Sequence, residues 1–180
     1  MNPGSWLQNY PHFLEIVYLA SRRILGFFDP LLRRIGYSRI DRWARPGEEL
    51  SKRVLFDCRM CGQCVLHSTG MTCPMTCPKN VRNGPCGGVL SNGHCEVIQE
   101  MKCIWVTAYE RSKRMPDFGS EMMLLQPPVN RQLKGSSAWV NMLTGEDSRL
   151  PAGWEEASPS PVIKIEEIES WNPNLNQTAA

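Results

Sequence analysis

Cysteine is the residue type in this sequence that points most clearly to chemistry. The chain has eight cysteines among its 180 residues, and all of them lie between residues 58 and 103. Thiolates grouped in this way bind metals in a reducing compartment and form disulfides in an oxidising one. We predict that all eight are metal ligands: Cys58, Cys61, Cys64, Cys73, Cys77, Cys86, Cys95 and Cys103.

The start of the sequence lacks the features of a secretory signal. No lysine or arginine precedes Arg22, and the most apolar stretch is interrupted by Glu15 and ended by Arg22 and Arg23. The stretch between these charges, residues 16–21, is far shorter than the ~20 residues that span a bilayer. We therefore expect a cytoplasmic protein without a transmembrane segment, in which cysteines bind metal rather than form disulfides.

The first three cysteines have the spacing of an iron–sulfur protein. Cys58, Cys61 and Cys64 form the C-x₂-C-x₂-C arrangement that supplies three ligands of a [4Fe–4S] cluster in bacterial ferredoxins. A structural zinc site instead prefers two C-x₂-C pairs, one from each side of a hairpin. The spacing favours iron–sulfur for the site that includes these three residues and leaves iron–sulfur and zinc open for the later five. Eight thiolates suffice for one or two [4Fe–4S] clusters, with zinc at a second site as the alternative.

The charge distribution agrees with metal binding and argues against nucleic-acid binding. The whole chain has a net charge of +2, whereas residues 51–115 carry nine basic and four acidic side chains. Two four-thiolate metal sites would offset most of that basic excess because each carries a charge of about −2. Arg59, Lys79, Arg82 and Lys102 are placed to supply this compensation. No nucleic-acid partner is therefore expected.

No catalytic residue is predicted. The sequence contains no Ser-His-Asp set, phosphate-binding loop or dinucleotide-binding fingerprint. A (β/α)₈ barrel needs roughly 200 or more residues, so chemistry on that scaffold would have to come from another chain.

The elements around the cysteines are predicted to be helical before them and loosely ordered after them. Phe13, Ile16, Val17, Ala20 and Ile24 follow the spacing of a buried helical face. Asp29-Pro30 resembles an N-cap followed by proline, which predicts a second, short helix ending at Gly36. The two helices would form a hairpin that packs on its own chain. The alternative is an amphipathic element that docks on a partner or on a membrane surface.

The remaining elements are a loop-rich cysteine segment, one helix and a tail. Met101, Ile104, Trp105 and Ala108 predict a helix that ends near Arg114. In the tail, one turn of helix is possible around residues 139–143 and an edge strand around residues 162–165. The tail is interpreted either as an acidic disordered segment or as an extended arm, with Trp139, Trp154 and Trp171 contacting another subunit.

The predicted fold is a small irregular domain stapled by iron–sulfur or zinc sites, with flanking α-helices and an extended C-terminal arm. Residues 1–49 form the N-terminal helical segment, residues 50–115 the cysteine-rich metal-binding domain, and residues 116–180 the partner-binding arm or tail.

Two cysteine-containing strings resemble a known family. They are Cys58-Arg-Met-Cys61-Gly-Gln-Cys64 and the segment from Cys73 to Gly88, which includes Arg82-Asn-Gly-Pro-Cys86-Gly-Gly88. With the later Ala108-Tyr-Glu-Arg111, they are similar to the methylenetetrahydrofolate reductase C-terminal domain family over roughly residues 54–112.

The resemblance implies a small, separate, non-catalytic subunit of a methylenetetrahydrofolate reductase complex in one-carbon metabolism. Its partner in the hetero-oligomer would be the flavin-dependent catalytic subunit, which alone would hold the flavin. The family's separate form is associated with iron–sulfur and zinc centres, which implies an electron-transfer role. The alternative within the same family is a structural zinc adaptor without a redox role.

Overall fold

The computed structural model describes residues 6–84, 86–150 and 153. Over this part of the chain the protein is a mostly helical small domain around an irregular cysteine segment. The α-helices are α1 (Pro11–Ile35), α2 (Tyr37–Phe56), α3 (Ile104–Ser112) and α4 (Ala138–Thr144). Short 3₁₀ turns cover Leu7–Asn9, His67–Thr69, Pro74–Thr76, Gly119–Met123, Arg131–Leu133 and Glu146–Ser148. The described residues contain no strand, only isolated bridges between Val89 and Cys95 and between His94 and Lys102.

Helix α1 is one continuous helix, so the prediction of a second helix starting at Asp29-Pro30 is wrong. Asp29 does not act as an N-cap, because its carboxylate accepts hydrogen bonds from Arg33 Nε (2.8 Å) and from the Tyr37 hydroxyl. Pro30 is accommodated inside the helix. The predicted end at Gly36 is confirmed: this residue has φ +94°, and its N–H donates to the Leu32 carbonyl at 3.1 Å. Helix α2 follows at once and runs without a break through residues 49 and 50, where the sequence places a domain boundary.

The face of α1 predicted to be buried is exposed instead. The side chains of Phe13, Ile16 and Ile24 are 53%, 50% and 57% exposed. The opposite face packs on the protein through Leu14 and Glu15. Periodicity identified an apolar stripe correctly but could not say which of the two faces of the helix contacts the core.

Glu15 ties the inner face of α1 to the segment after α3. Its side chain is fully buried, and Oε1 accepts the backbone N–H groups of Asp117 (3.0 Å) and Phe118 (2.7 Å). A buried carboxylate is tolerated when such donors replace its water. The start of α1 is therefore fixed by polar contacts as much as by apolar ones.

Two small apolar clusters form the core. The first joins α1 to the cysteine segment and contains Leu14, Leu66, Met71, Cys73 and Met115. The second contains Cys103, Trp105 and Ala108 at the start of α3. The helix predicted from Met101, Ile104, Trp105 and Ala108 is confirmed from Ile104 onward, although it leaves out Met101 and ends at Ser112 rather than near Arg114. Its buried residues are Trp105, Ala108 and Ser112.

The arm predicted for residues 116–180 is not extended over residues 119–148. This segment folds back on the domain and contains α4. The first turn of α4 is capped by the Ser137 hydroxyl, which accepts the Val140 N–H at 3.3 Å. Trp139 lies on its own chain, with its ring 5.4 Å from that of Tyr18. The short helix predicted at residues 139–143 is confirmed. The predicted strand at residues 162–165, and Trp154 and Trp171, lie outside the described residues.

None of the helices in the described part of the chain combines the length and apolar character needed to cross a membrane.

Candidate metal centre

The first three cysteines lie on a loop that begins where α2 ends. Asp57 has a left-handed conformation with φ +51°, and its N–H donates to the Arg53 carbonyl at 3.0 Å. Met60 and Gly62 also have positive φ, +47° and +78°. Each left-handed residue turns the backbone sharply. These turns curl residues 57–64 so that the cysteines line the inside of the loop.

Residues 130–147 hold this cysteine loop from the outside. The Gly135 N–H donates to the Met60 carbonyl at 2.8 Å, and the Asn141 amide donates to the Gly62 carbonyl at 2.8 Å. A Cβ atom at Gly62 would collide with the backbone carbonyl of Leu133. Gly62 is therefore required both by its φ angle and by the close approach of the neighbouring chain.

Gln63 fixes the loop to the same segment through both ends of its amide. Its side chain is only 2% exposed. Oε1 accepts the Asn130 N–H at 2.7 Å, and Nε2 donates to the Asp147 carbonyl at 2.8 Å. Sequence reasoning missed this residue because glutamine between two cysteines carries no pattern that marks it as buried.

Four of the eight predicted ligands line one small cavity: Cys58, Cys61, Cys64 and Cys73. The first three come from the loop after α2, and the fourth immediately precedes the 3₁₀ turn at residues 74–76. The volume of this cavity is about 20 Å³, roughly that of one water molecule. The structure therefore places Cys73 with the ferredoxin-like triplet, a grouping that spacing alone left open.

The thiols in this cavity interact with one another. The hydrogen bond from the Cys73 thiol lowers the pKa of Cys58 to about 6, assisted by the Met60 N–H, which donates to Cys58 Sγ at 3.3 Å. The same contact with Cys58, together with burial, raises the pKa of Cys73. Burial also raises the pKa of Cys64. A thiolate is the form that binds metals, and the lowered pKa of Cys58 favours this form there.

Two buried cations stand beside these sulfurs. Burial opposes the charge of Lys52, but the Cys64 thiol and the Glu48 carboxylate outweigh it, so that the pKa of Lys52 is raised. Burial lowers the pKa of Arg82, and this is opposed by the nearby Cys61 and Cys64 sulfurs. Arg82 Nη1 donates to the Gln63 carbonyl at 3.2 Å. Arg82 Nε is buried and has no hydrogen-bond partner among the described residues.

Of the four cations predicted to compensate metal-site charge, only Arg82 lines the four-cysteine cavity itself. The other three form ion pairs with carboxylates: Arg59 with Asp57, Lys79 with Glu96 and Lys102 with Glu110. Lys52, which was not predicted from the sequence, lies beside the cavity thiols instead of these three cations. Its signal was the Glu48–Lys52 pair, spaced i,i+4 on α2 just before Cys58.

The structure does not bring the other four cysteines into this cavity. Cys95 and Cys103 flank the bridge region, where the Cys95 N–H donates to the Met101 carbonyl and the Cys103 N–H to the Gly93 carbonyl, each at 3.0 Å. The N–H groups of Ile98 and Val97 donate to Cys95 Sγ and lower its pKa. Cys77 is buried and Cys86 is half-buried.

Within residues 6–84 and 86–150, no three histidine, cysteine, aspartate or glutamate side chains are close enough together to hold one metal ion. The structure thus gathers four thiols around one space without converging them on a point. Metal ligation by all eight cysteines stays a prediction.

Comparison with known protein families gives one match. The family model described as methylene-tetrahydrofolate reductase C terminal matches residues 37–132, slightly more than half of the chain. The matched region begins with α2, contains all eight cysteines and ends in the 3₁₀ turn at residues 131–133. No curated protein and no solved structure matches the chain.

Proposed function

Because the chain belongs to the methylenetetrahydrofolate reductase C-terminal family, we propose that it is a non-catalytic, iron–sulfur accessory subunit of a methylenetetrahydrofolate reductase complex. The observation that carries the proposal is the placement of Cys58, Cys61, Cys64 and Cys73 around one small cavity. These four thiolates would hold a [4Fe–4S] cluster, which supplies a one-electron redox centre when bound.

The residues around the thiols suit such a group. A cluster with four thiolate ligands carries a charge of about −2, and the nearest buried cations are Lys52 and Arg82. The Arg82 Nε–H group, which has no partner among the described residues, would find an acceptor in a cluster or thiolate sulfur. Hydrogen bonds of this kind orient metal ligands and tune the metal.

The outer face of α1 suits the binding of the catalytic subunit. This α1 stripe consists of Phe13, Ile16, Val17, Ala20, Ile24, Phe27, Phe28, Leu31 and Ile35, all of them exposed. It runs along about 33 Å of helix. Contiguous exposed apolar surface of this extent marks an interaction site. Flavin, folate and hydride chemistry would belong to the partner, and the complex would be a cytoplasmic hetero-oligomer.

One observation favours a second candidate, a structural zinc adaptor that binds the same partner without redox chemistry. The space between the four thiols, about 20 Å³, admits a single ion with less rearrangement than a four-iron cluster requires. A zinc ion coordinated by four cysteines would fix the loop by coordination alone.

Metal analysis of the anaerobically purified chain separates the two functions. The iron–sulfur proposal predicts iron and acid-labile sulfide in similar amounts and broad absorbance near ~400 nm. Cys61→Ser should lose one whole cluster, whereas Cys86→Ser, outside the cavity, should retain that cluster. A colourless protein with zinc and no sulfide would overturn the iron–sulfur proposal in favour of the adaptor.

A further inference from the structure

A second opening lies on one side of the candidate metal centre. Its volume is about 550 Å³, and the cations Arg59, Arg131 and Lys134 line it with the thiol-bearing residues Cys61 and Cys77. Among the residues that the structure describes, no acidic one lines this opening. Because Cys61 also lines the four-cysteine cavity, the opening provides an approach to the same ligand from the protein surface.

Arg59, Arg131 and Lys134 form a surface that we call the basic rim, and this rim carries a net positive charge. Arg59 is paired with Asp57 at 3.3 Å, in an exposed contact. Neither Arg131 nor Lys134 forms an ion pair within the described residues. Uncompensated charges around an opening attract groups of opposite sign and speed their encounter.

The backbone that carries the rim is held against the cysteine loop. The Asn130 side chain caps the 3₁₀ turn at residues 131–133, with Oδ1 accepting the Gln132 N–H at 3.1 Å. The Asn130 N–H is bound by Gln63, and the Gly135 N–H by the Met60 carbonyl. The rim is therefore part of the same rigid unit as the cysteine loop.

The rest of the lining indicates a protein rather than a small anion. Met75, Pro78, Ile98 and Val129 provide apolar surface between the charged side chains. Methionine and arginine together on a surface of mixed polarity are typical of protein–protein interfaces. No residue of α1 lines the opening, so it is separate from the α1 stripe.

We propose that the basic rim is the docking surface for an acidic electron-carrier protein, one whose contact face carries carboxylates around its redox centre. This inference rests on the proposed iron–sulfur function, because such a carrier has reason to bind beside Cys61 only if a redox centre lies there. Complexes of this kind are small and weak, and opposite charges on the two faces set their encounter rate.

The test is a binding measurement between the full chain, purified anaerobically, and a [2Fe–2S] ferredoxin of strongly negative net charge. Affinity is measured at several salt concentrations for the natural sequence and for Arg131→Glu/Lys134→Glu. The matched control, Arg23→Glu/Arg34→Glu, makes the same change in net charge on α1, where both arginines are exposed. We expect the rim variant to bind about tenfold more weakly or worse, with a shallower salt dependence, and the control to stay within about threefold.

Equal ferredoxin affinity for the natural chain and the rim variant would overturn the inference. So would micromolar binding of flavin mononucleotide or inorganic pyrophosphate that the rim variant loses while its ferredoxin affinity is unchanged, since the rim would then serve a small phosphate ligand. Iron and acid-labile sulfide are measured on the same samples. Their absence would contradict the proposed function, whereas the affinities alone decide whether the rim binds an acidic protein.

Discussion

The cysteine loop and helix α1 differ in what they bury: the loop buries polar side chains that find hydrogen-bond partners, whereas α1 leaves apolar side chains exposed. In the loop and in the 3₁₀ turn that follows it, the buried polar side chains of Gln63 and Thr69, each 2% exposed, are satisfied by the same chain. Helix α1 satisfies its own backbone but leaves large apolar side chains in solvent, with Phe27 79% exposed. The loop is built around its interior, whereas the outer face of α1 is exposed and is proposed to contact another molecule. Substitutions in the loop should therefore affect folding, and substitutions on the α1 stripe should affect binding.

The largest effect on stability is expected for Gly62→Ala. The added Cβ meets the Leu133 carbonyl, and the φ of +78° is unfavourable for any residue with a side chain. We expect a loss of more than about 3 kcal/mol in the free energy of unfolding, measured by chemical denaturation. Gly145→Ala is the matched control: its φ is +76°, no atom of the described residues lies within 4 Å of the new Cβ, and only the strain of about 1–2 kcal/mol should appear. Equal losses at the two positions would show that the close contact with residue 133 is unimportant.

A somewhat smaller effect is expected for Gln63→Leu. This change keeps the volume but leaves the Asn130 N–H and the Asp147 carbonyl without their partner. An unsatisfied buried polar group costs about 1–3 kcal/mol, so we expect a loss of about 2 kcal/mol or more. Gln132→Leu, at an exposed position close by, should change stability by less than about 0.5 kcal/mol. Equal stability of the two variants would show that the hydrogen bonds from Gln63 to residues 130–147 do not hold the cysteine loop in place.

The α1 stripe should show the opposite behaviour. Phe27→Glu/Leu31→Glu places two carboxylates on a surface that is already exposed, so stability should change by less than about 1 kcal/mol. Affinity for the reductase catalytic subunit, measured by titration calorimetry, should fall at least tenfold because charges would be buried in an apolar contact. Val97→Glu, at an exposed apolar position on the cysteine segment, serves as the control and should bind normally.

Two other results would reassign the stripe. A catalytic subunit that binds the double variant as well as the natural chain would contradict its role in this interface. Self-association of the natural chain, or its sedimentation with anionic vesicles, abolished by the same substitutions would show that a second copy or a membrane surface occupies the stripe.

The smallest effect concerns the contact between α1 and α4. Burial raises the pKa of Tyr18 to about 12, and its ring packs near Trp139. Because the folded state holds this proton more tightly than the unfolded state, the resulting stability is complete below pH 10 and is lost as pH rises towards 12. Absorbance at alkaline pH should show a late tyrosinate titration that loses the amplitude of one tyrosine in Tyr18→Phe and keeps its full amplitude in Tyr10→Phe. Simultaneous titration of all tyrosines in folded protein would contradict the burial of Tyr18.

The sequence predicted helices and their ends better than it predicted which faces and side chains meet in the fold. Gly36 and the α3 face were correct because local conformation and periodicity decide them. The exposed face of α1 was misjudged because an apolar stripe looks the same whether it meets the core or a partner. The metal-site grouping was predicted only for Cys58, Cys61 and Cys64, since two-residue spacing is local. The addition of Cys73 depends on contacts that the fold makes, which no spacing encodes. The sequence named Arg82 but could not separate it from the three cations that form ion pairs elsewhere, and the i,i+4 pair of Glu48 and Lys52 does not by itself place Lys52 beside the thiols.

The proposed four-cysteine cluster is tested most directly by electron paramagnetic resonance of the reduced, anaerobically purified complex with and without Cys73→Ser. Cys73 is the ligand assigned by its place in the cavity rather than by ferredoxin-like spacing. If the four cavity cysteines hold a [4Fe–4S] cluster, the natural complex shows the signal of the reduced cluster. Cys73→Ser should lose the signal of that cluster, and Cys86→Ser should retain it. A Cys73→Ser complex with an unchanged signal, or a natural complex with none and bound zinc instead, would contradict the claim that these four cysteines hold an iron–sulfur cluster.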